Sequence, residues 1–282
     1  KAQEVKKVVD DNIQQIQAHL KDVQNFFDQG MVTNNEVLKV QVQLSDAQLR
    51  QIDAENNVRL AIMALNNLIG LPLMTDIEIT SNPQDQPKQF DRFDDLIKKA
   101  TEDRSEVKAM EYRVSAGESG VTLAKSGWYP QIYLTGDYFY DRPNQRLVPA
   151  QDKFYDTWDV GVALSVPLWN WRTAEYRTTE AETQVAALQD ELGQMKDGIS
   201  LEVAQNYLNF AQAKQRISVA EQTVKQAEEN NRVTDDKYKQ GLVPNTDVID
   251  AETALLQAKM NYTQTLVDYE LAQAGLEKAI GE

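Results

Sequence analysis

Tyr238-Lys-Gln-Gly-Leu-Val-Pro-Asn-Thr-Asp-Val248 indicates the architecture of this chain, because a similar stretch occurs earlier in the sequence. The first copy reads Phe27-Asp-Gln-Gly-Met-Val-Thr-Asn-Asn-Glu-Val37, and a shift of 211 positions relates the two copies without a gap. The similarity covers residues 27–70 and 238–281, which end in Leu65-Asn-Asn-Leu-Ile-Gly70 and Leu276-Glu-Lys-Ala-Ile-Gly281. An internal repeat marks one supersecondary unit that is built more than once. The sequence therefore predicts two copies of one helical hairpin.

Apolar periodicity predicts the helices of the first hairpin. Over residues 1–28, apolar side chains recur three and four positions apart, from Val9 to Phe27, which predicts a helix with one apolar stripe. The second helix, over about 35–69, carries apolar or small residues at every heptad seam position from Val37 to Leu68 except Gln51. A seam held over about five heptads indicates coiled-coil packing. The second copy repeats this pattern.

The region between the copies contains further helices and a linker. Three prolines within 70–90 exclude a continuous helix there, and Ile77-Glu-Ile-Thr80 is a candidate short strand. Helical periodicity returns over 91–126 and again from about 173 to 240. These patterns indicate a mainly helical protein.

The segment 128–171 differs from the rest, because it contains all four tryptophans and 11 of the 22 aromatic residues. Within it, 158–168 alternates large apolar with small or polar residues, and 131–140 alternates less regularly. Strands of about 10 residues are long enough to cross a bilayer at a tilt. A soluble β-hairpin packed on helices would alternate in the same way, so the alternation leaves both interpretations open.

Aromatic residues at both ends of this strand pair favour the membrane interpretation, since transmembrane barrels carry aromatic girdles at both interfaces. The candidate girdle residues are Trp128, Tyr129, Trp169 and Trp171 at the helix end, and Tyr138, Tyr140, Tyr155 and Trp158 at the loop end. Two strands cannot close a barrel, and an open edge is not viable in lipid. The repeat predicts a second pair within a segment of about 120 residues before Lys1, and oligomerisation would supply the remaining strands.

Composition excludes several classes of function. The chain has 29 basic and 44 acidic residues, so it lacks the basic footprint that nucleic acid requires. It contains no cysteine, and its single histidine, His19, has no partner cluster in the sequence. We therefore expect His19 to be structural or exposed, and we expect no metal site, no cofactor and no enzymatic activity.

Several motifs in this order and spacing resemble the TolC family of outer-membrane efflux channels. The second copy carries the resemblance best, from Tyr238-Lys-Gln-Gly241 through Asp247-Val-Ile-Asp-Ala251 to its final Ile-Gly. Tyr129-Pro130, Ser165-Val-Pro-Leu168 and Arg104-Ser-Glu-Val-Lys-Ala109 also fit. The resemblance covers nearly all of the chain. It implies that the first helix, the first strand pair and the start of the next helix of the family are absent from this sequence.

The resemblance implies a homotrimer in the outer membrane of a Gram-negative bacterium, with a shared β-barrel in lipid and a periplasmic helical tunnel. Such a channel is a passive export duct for an inner-membrane pump, joined to it by a periplasmic adaptor protein. The implied division of the chain is 1–69, first periplasmic hairpin; 70–90, equatorial linker; 91–127, helix; 128–171, outer-membrane strand pair; 172–282, long helix and second hairpin.

The resemblance also implies site residues. Asp247 and Asp250 match an acidic ring at the periplasmic pore entrance, although an acid in the first turn of a helix is also favoured by the free N–H groups there. Glu36 and Tyr238 match positions that latch the closed aperture, but Val243 stands where the family has a basic partner. The hairpin tips match adaptor-docking positions: Gln29, Gly30, Met31, Gln240, Gly241 and Leu242.

Two other classes share some of these features. A periplasmic coiled-coil adaptor or scaffold would also have a long hairpin, but it would need flanking β-domains, which the sequence does not contain. A helical pore-forming toxin would usually carry an apolar insertion segment with helical periodicity, and none is present. Neither class requires a strand pair flanked by aromatic residues.

Overall fold

The computed structural model describes residues 1–79, 90, 92–169 and 171–282. Within them the elements are α1 (Ala2–Asp28), α2 (Asn34–Ile69), α3 (Phe93–Asp103), α4 (Ser105–Lys125), β1 (Gln131–Asp141), β2 (Tyr155–Ser165), α5 (Thr173–Lys239) and α6 (Asn245–Ala279). The chain divides into two units, Lys1–Ile97 with Glu202–Glu282, and Lys98–Leu201. The first unit holds both hairpins, and the second holds the strand pair.

The two hairpin tips have the same backbone geometry. In the first, the N–H groups of Gly30 and Met31 donate back to carbonyls in the last turn of α1, each at 2.8 Å. In the second, Gly241 and Leu242 donate to the last turn of α5 at 2.8 and 2.9 Å. Gly30 and Gly241 have φ values of +73° and +74°, a left-handed conformation that glycine adopts without steric cost. The repeated glycine therefore sets the turn that reverses each hairpin.

The apolar stripe of α1 forms the core of the first unit. Four of its members are buried and pack in one cluster with α2, and Tyr238 and Val248 of the second hairpin belong to the same cluster. The stripe ends differently from the prediction, because Phe27 is 37% exposed and Phe26 is the half-buried residue. The Phe26 ring lies 5.7 Å from that of Tyr238.

The predicted seam of α2 changes at its C-terminal end. Leu68 is 82% exposed, whereas Asn66 is fully buried. The Asn66 amide donates to the carbonyls of Leu73 and Thr75 at 3.1 and 2.8 Å, so a polar side chain binds the segment that leaves the helix. Residues 77–79 of the predicted short strand are not in a strand, and the remaining position, 80, lies outside the described residues.

The second unit contains one antiparallel strand pair, with Gln131 opposite Ser165 and Asp141 opposite Tyr155. The second strand covers residues 155–165 rather than the predicted 158–168. The next pair would place Pro130 opposite Val166, with Pro167 directly after it. Neither proline has an N–H to donate, so the ladder stops at Ser165. The strands are joined by residues 142–154.

The register separates an apolar from a polar face. Tyr138 is directly opposite Trp158, and alternate pairs towards the helix end add aliphatic side chains on the same face. The apolar residues of this face are all exposed: Ile132, Leu134, Tyr138, Tyr140, Trp158, Val160, Val162 and Leu164. The opposite face carries mainly small and polar residues, so the alternation read from the sequence is confirmed.

Two local breaks interrupt the predicted helices. The helix predicted over 91–126 is divided at Arg104, which is extended with φ −60° and ψ 135°, and α3 ends at Asp103. Before α5, Trp171 and Arg172 have positive φ values of 48° and 63°. Such values are uncommon for residues other than glycine.

Candidate functional site

The six tip residues lie together at the ends of the two hairpins. Gln29, Gly30 and Met31 follow α1, while Gln240, Gly241 and Leu242 follow α5, and all six are exposed. Met31 and Leu242, which correspond to each other in the repeat, each present an exposed apolar side chain. Their adaptor-docking role stays a prediction.

Just above the tips, a buried polar cluster joins the two hairpins. Asn245, the first residue of α6, donates from its amide to the Glu36 carboxylate at 3.1 Å. Its amide oxygen lies 2.6 Å from Nε2 of His19. One buried asparagine therefore bridges α6 to both helices of the first hairpin.

His19 is buried in this cluster, with 4% of its surface exposed. Its ring meets that of Tyr238 edge-on at 5.3 Å, and its Nδ1 has no hydrogen-bond partner among the described residues. Burial lowers the pKa of His19, because the charged imidazolium would lose its hydration. The sequence predicted only that His19 would be structural or exposed, and it did not reveal the partner Asn245, which is 226 positions away.

The two latch candidates, Glu36 and Tyr238, line one cavity of about 260 Å³. Glu36 and Tyr238 do not hydrogen-bond to each other. The Glu36 carboxylate instead accepts from the Asn245 amide and from the Lys39 ammonium, the latter at 3.0 Å. The hydrogen bond from Lys39 lowers the pKa of Glu36. Burial, and then the Glu36 charge, raises the pKa of Tyr238, whose hydroxyl is buried without a hydrogen-bond partner in the described part of the chain.

Asp247 and Asp250 are both exposed near the start of α6, while Val248 between them is buried in the core. The Asp247 N–H donates to the carbonyl of Pro244 at 3.1 Å, as expected for the first turn of a helix. Within the described ranges, neither carboxylate has an ion pair within 4.0 Å. Both side chains are free to face a partner or a pore.

Glu252 is a buried acid that was not identified from the sequence. The Gln43 amide donates to the Glu252 carboxylate at 2.9 Å, which joins α2 to α6. Burial raises the pKa of Glu252 to about 7. Glu252 and His19 line one cavity of about 360 Å³, at whose margin Lys259 pairs with Glu228 at 3.2 Å.

The candidate girdle residues lie at the two ends of the strand pair. At the helix end, the rings of Trp169 and Trp171 lie 5.5 Å apart, beyond β2. At the loop end, the Tyr140 ring stacks on Phe154 at 5.2 Å. Tyr155 differs from the others, because its register opposite Asp141 places it on the polar face.

No helix in the described ranges combines the length and the apolar character needed to cross a membrane. The same residues contain no group of three or more histidine or acidic side chains placed to hold a metal ion.

Residues 96–282 match the family described as Outer membrane efflux protein. This match covers more than half of the chain, which therefore belongs to that family. The predicted resemblance, the mainly helical fold with long hairpins and the Gram-negative outer-membrane localisation are confirmed. The family is one of transport proteins rather than of enzymes.

Individual relatives are distant. The chain is 23% identical to Outer membrane protein TolC of Vibrio cholerae, over 93% of the chain and 60% of that protein. It is 24% identical to Alkaline protease secretion protein AprF of Pseudomonas aeruginosa, over 90% of the chain and 53% of that protein. The chain thus spans little more than half the length of these curated relatives.

The fold is shared with solved outer-membrane channels. The crystal structure of the outer membrane protein VceC from Vibrio cholerae superposes with a TM-score of 0.73. That similarity covers 99% of the chain and 66% of VceC, at 20% identity. Similarity at this identity establishes the fold alone.

Proposed function

We propose that the protein is the outer-membrane channel of a tripartite efflux or secretion system. It acts as a passive export duct, with the strand pair in lipid and the helical hairpins in the periplasm. The observation that carries this proposal is membership of the outer membrane efflux protein family. The exposed apolar face of the strand pair supports it, because water would not favour eight exposed apolar side chains on one face.

The assembly that fits this function is a homotrimer. One strand pair has two unpaired edges, and in lipid these edges must pair with further strands. Copies of the same chain, together with a second strand pair from each, would close one barrel around a water-filled lumen. The polar face of the pair suits such a lumen.

The hairpin tips are proposed to dock a periplasmic adaptor protein, which connects the channel to an inner-membrane pump. Met31 and Leu242 support this proposal, since each places an exposed apolar side chain at a hairpin end. Asp247 and Asp250 are proposed to form the acidic ring at the periplasmic entrance, and Glu36 and Tyr238 to help hold the aperture closed.

A matched pair of lysine substitutions tests the membrane placement. Val162 lies on the apolar face and its neighbour Ala163 on the polar face. We expect Val162→Lys to reduce the amount of protein in outer-membrane fractions, because a lysine in lipid costs about 2–4 kcal/mol, whereas Ala163→Lys is tolerated. Equal membrane recovery of both variants would contradict the proposal.

Conductance in planar bilayers tests the duct and its entrance. The full-length protein should give passive current steps without nucleotide. Asp247→Ala combined with Asp250→Ala should reduce cation selectivity and block by divalent cations. Unchanged selectivity would remove the acidic ring from the proposal, and absence of current from correctly inserted protein would remove the duct itself.

A further inference from the structure

Within one chain, residues of α6 join the second hairpin to the first. The equivalent residues of the first hairpin lie on α2 and are exposed. We propose that these α2 residues bind a second copy of the chain, with Asn34 of one copy donating a hydrogen bond to Asp247 of the next. This inference rests on the proposed oligomeric channel and names the contact that joins its subunits. It gives Asp247 a contact with the neighbouring copy, in addition to its proposed place in the acidic ring.

The argument starts from the repeat. We call two residues that are 211 positions apart repeat mates. Helix α1 has the C-terminal part of α5 as its repeat mate, and α2 has α6. Within one chain, α6 packs against α1 and α2. The same packing with every helix replaced by its repeat mate would place α2 against α5 and α6. We infer that this second contact forms between α2 of one copy and α5 and α6 of another.

The polar contact transfers residue by residue. Within the chain, the Asn245 amide donates to the Glu36 carboxylate at 3.1 Å. Their repeat mates are Asn34 and Asp247, which keep the amide donor and the carboxylate acceptor. The mate of His19 is Asn230, whose amide can donate to the Asn34 side-chain oxygen as the imidazole can to Asn245.

Burial differs sharply between the mates. Tyr238 is 6% exposed where it covers His19, whereas its mate Phe27 is 37% exposed. Asn245, His19 and Glu252 are buried, and their mates are exposed: Asn34, Asn230 and Gln41. Residues at equivalent positions of the repeat are thus buried where the two hairpins of one chain meet and exposed on the other side of the first hairpin. A second copy seated on α2 would remove this difference.

The uncovered surface is one continuous face of α2, formed by Asn34, Leu38, Gln41, Leu49 and Ile52. These residues are spaced three, four or eight positions apart, which places them on one side of the helix. All five are exposed, including three large aliphatic side chains. The mates of Leu38, Leu49 and Ile52 are Ile249, Met260 and Thr263, and all three are at least half-buried.

This contact joins two different surfaces, α2 of one copy with α5 and α6 of the next. Such a heterologous contact repeats from copy to copy until the rotation closes a ring. It therefore suits a cyclic assembly such as the proposed trimer.

Cysteine pairs test the contact directly, since the 282 residues contain no cysteine. In the full-length protein in cell envelopes, Asn34→Cys with Asp247→Cys should be joined by a short bifunctional thiol reagent into covalent dimers and trimers. Each single variant has one thiol per subunit and therefore cannot form covalent trimers, and Asn34→Cys alone should give no covalent dimer either. Glu36→Cys with Asn245→Cys is the matched control, and it should link within one chain without raising the mass.

Charge exchange provides a second measurement. Asn34→Asp places two carboxylates together and should reduce the fraction of oligomer that survives mild detergent, and adding Asp247→Asn should restore it. The contact would be overturned if an intact, conducting oligomer gave no cross-linked dimers and trimers and if Asp247→Asn did not restore the Asn34→Asp oligomer. The channel proposal would still stand in that case. Loss of conductance from the unmodified protein would instead contradict the channel proposal.

Discussion

At the scale of single residues, the contact between the hairpins depends on buried polar groups rather than on apolar packing alone. His19, Asn245 and Glu36 form a chain of hydrogen bonds at the level of the tips, and Gln43 with Glu252 forms a second contact further along. A buried polar group without its partner costs about 1–3 kcal/mol, so these contacts fix the register of one hairpin against the other.

The lowered pKa of His19 gives a direct prediction. A base whose folded pKa lies below its unfolded value binds protons more readily in the unfolded state. The neutral form of His19 therefore supports the fold above pH 6.5, and this stability is lost as the pH falls through 6.5 towards the folded pKa. The single histidine gives one set of imidazole proton resonances, whose titration midpoint we expect below 6.5 in the folded chain. The same midpoint in the urea-unfolded chain would contradict the burial.

Glu252 predicts the opposite pH dependence. Its folded pKa of about 7 exceeds the ordinary 4.5, so the folded state keeps the proton, and stability is lost as the pH rises from 4.5 to about 7. Glu252→Gln mimics the protonated acid. We expect it to raise the free energy of unfolding at pH 8 by about 2–3 kcal/mol and to change little at pH 4.5. Chemical unfolding followed by circular dichroism measures both, with exposed Glu118→Gln as the control. A gain of equal size at both pH values would show that the carboxyl charge is not responsible.

At the scale of elements, each hairpin requires one left-handed glycine where its first helix ends. Gly30 and Gly241 occupy the same position of the repeat and share φ values within one degree of each other. No neighbouring atom lies within 4 Å of a Cβ placed at either glycine, so the backbone conformation, not space, selects glycine.

Alanine at either tip glycine should destabilise the protein. We expect Gly30→Ala and Gly241→Ala each to cost about 1–2 kcal/mol, the cost of a left-handed conformation for a residue with a Cβ. Gly198 lies within α5 with open space around its Cβ position, so Gly198→Ala should stabilise by about 0.5–1 kcal/mol. Thermal unfolding followed by circular dichroism compares the three. Equal effects of tip and mid-helix substitutions would argue against a conformational role of the tip glycines.

At the scale of the whole molecule, the two units face different environments in the proposed channel. The hairpin unit has a buried core of its own, whereas the strand pair exposes its apolar face fully. A two-stranded sheet is at most marginally stable in water by itself. Lipid and further strands would supply what the strand pair lacks.

Tryptophan fluorescence tests this difference, because all four tryptophans lie in or beside the strand pair and are 53–82% exposed. In vesicles, brominated lipids should quench most of the emission of the full-length protein. In single-tryptophan variants, Trp158 and Trp169 should both respond most strongly to bromines near the lipid headgroups, since they lie at opposite ends of the pair. Emission that is insensitive to bromine position would place the pair outside the bilayer.

The two hairpins, the strand pair and the tips could be predicted from the amino-acid sequence, because each follows from a signal within its own segment. Apolar periodicity sets a helix or strand, and a repeated glycine sets a turn. Small errors arose where a local feature competed with the periodicity. Examples are Arg104, which divides a helix, and the prolines Pro130 and Pro167, where the strand pairing ends.

The residues that meet between the hairpins could be identified only in the folded structure. Glu36 and Tyr238 could be named from motifs, but their contacts with Asn245 and His19 join positions more than 200 residues apart. Periodicity places a side chain on a face of its own helix and carries no information about the opposing face. The physical reason is that burial and pairing of polar groups depend on how separate helices pack, and that arrangement exists only in the folded chain.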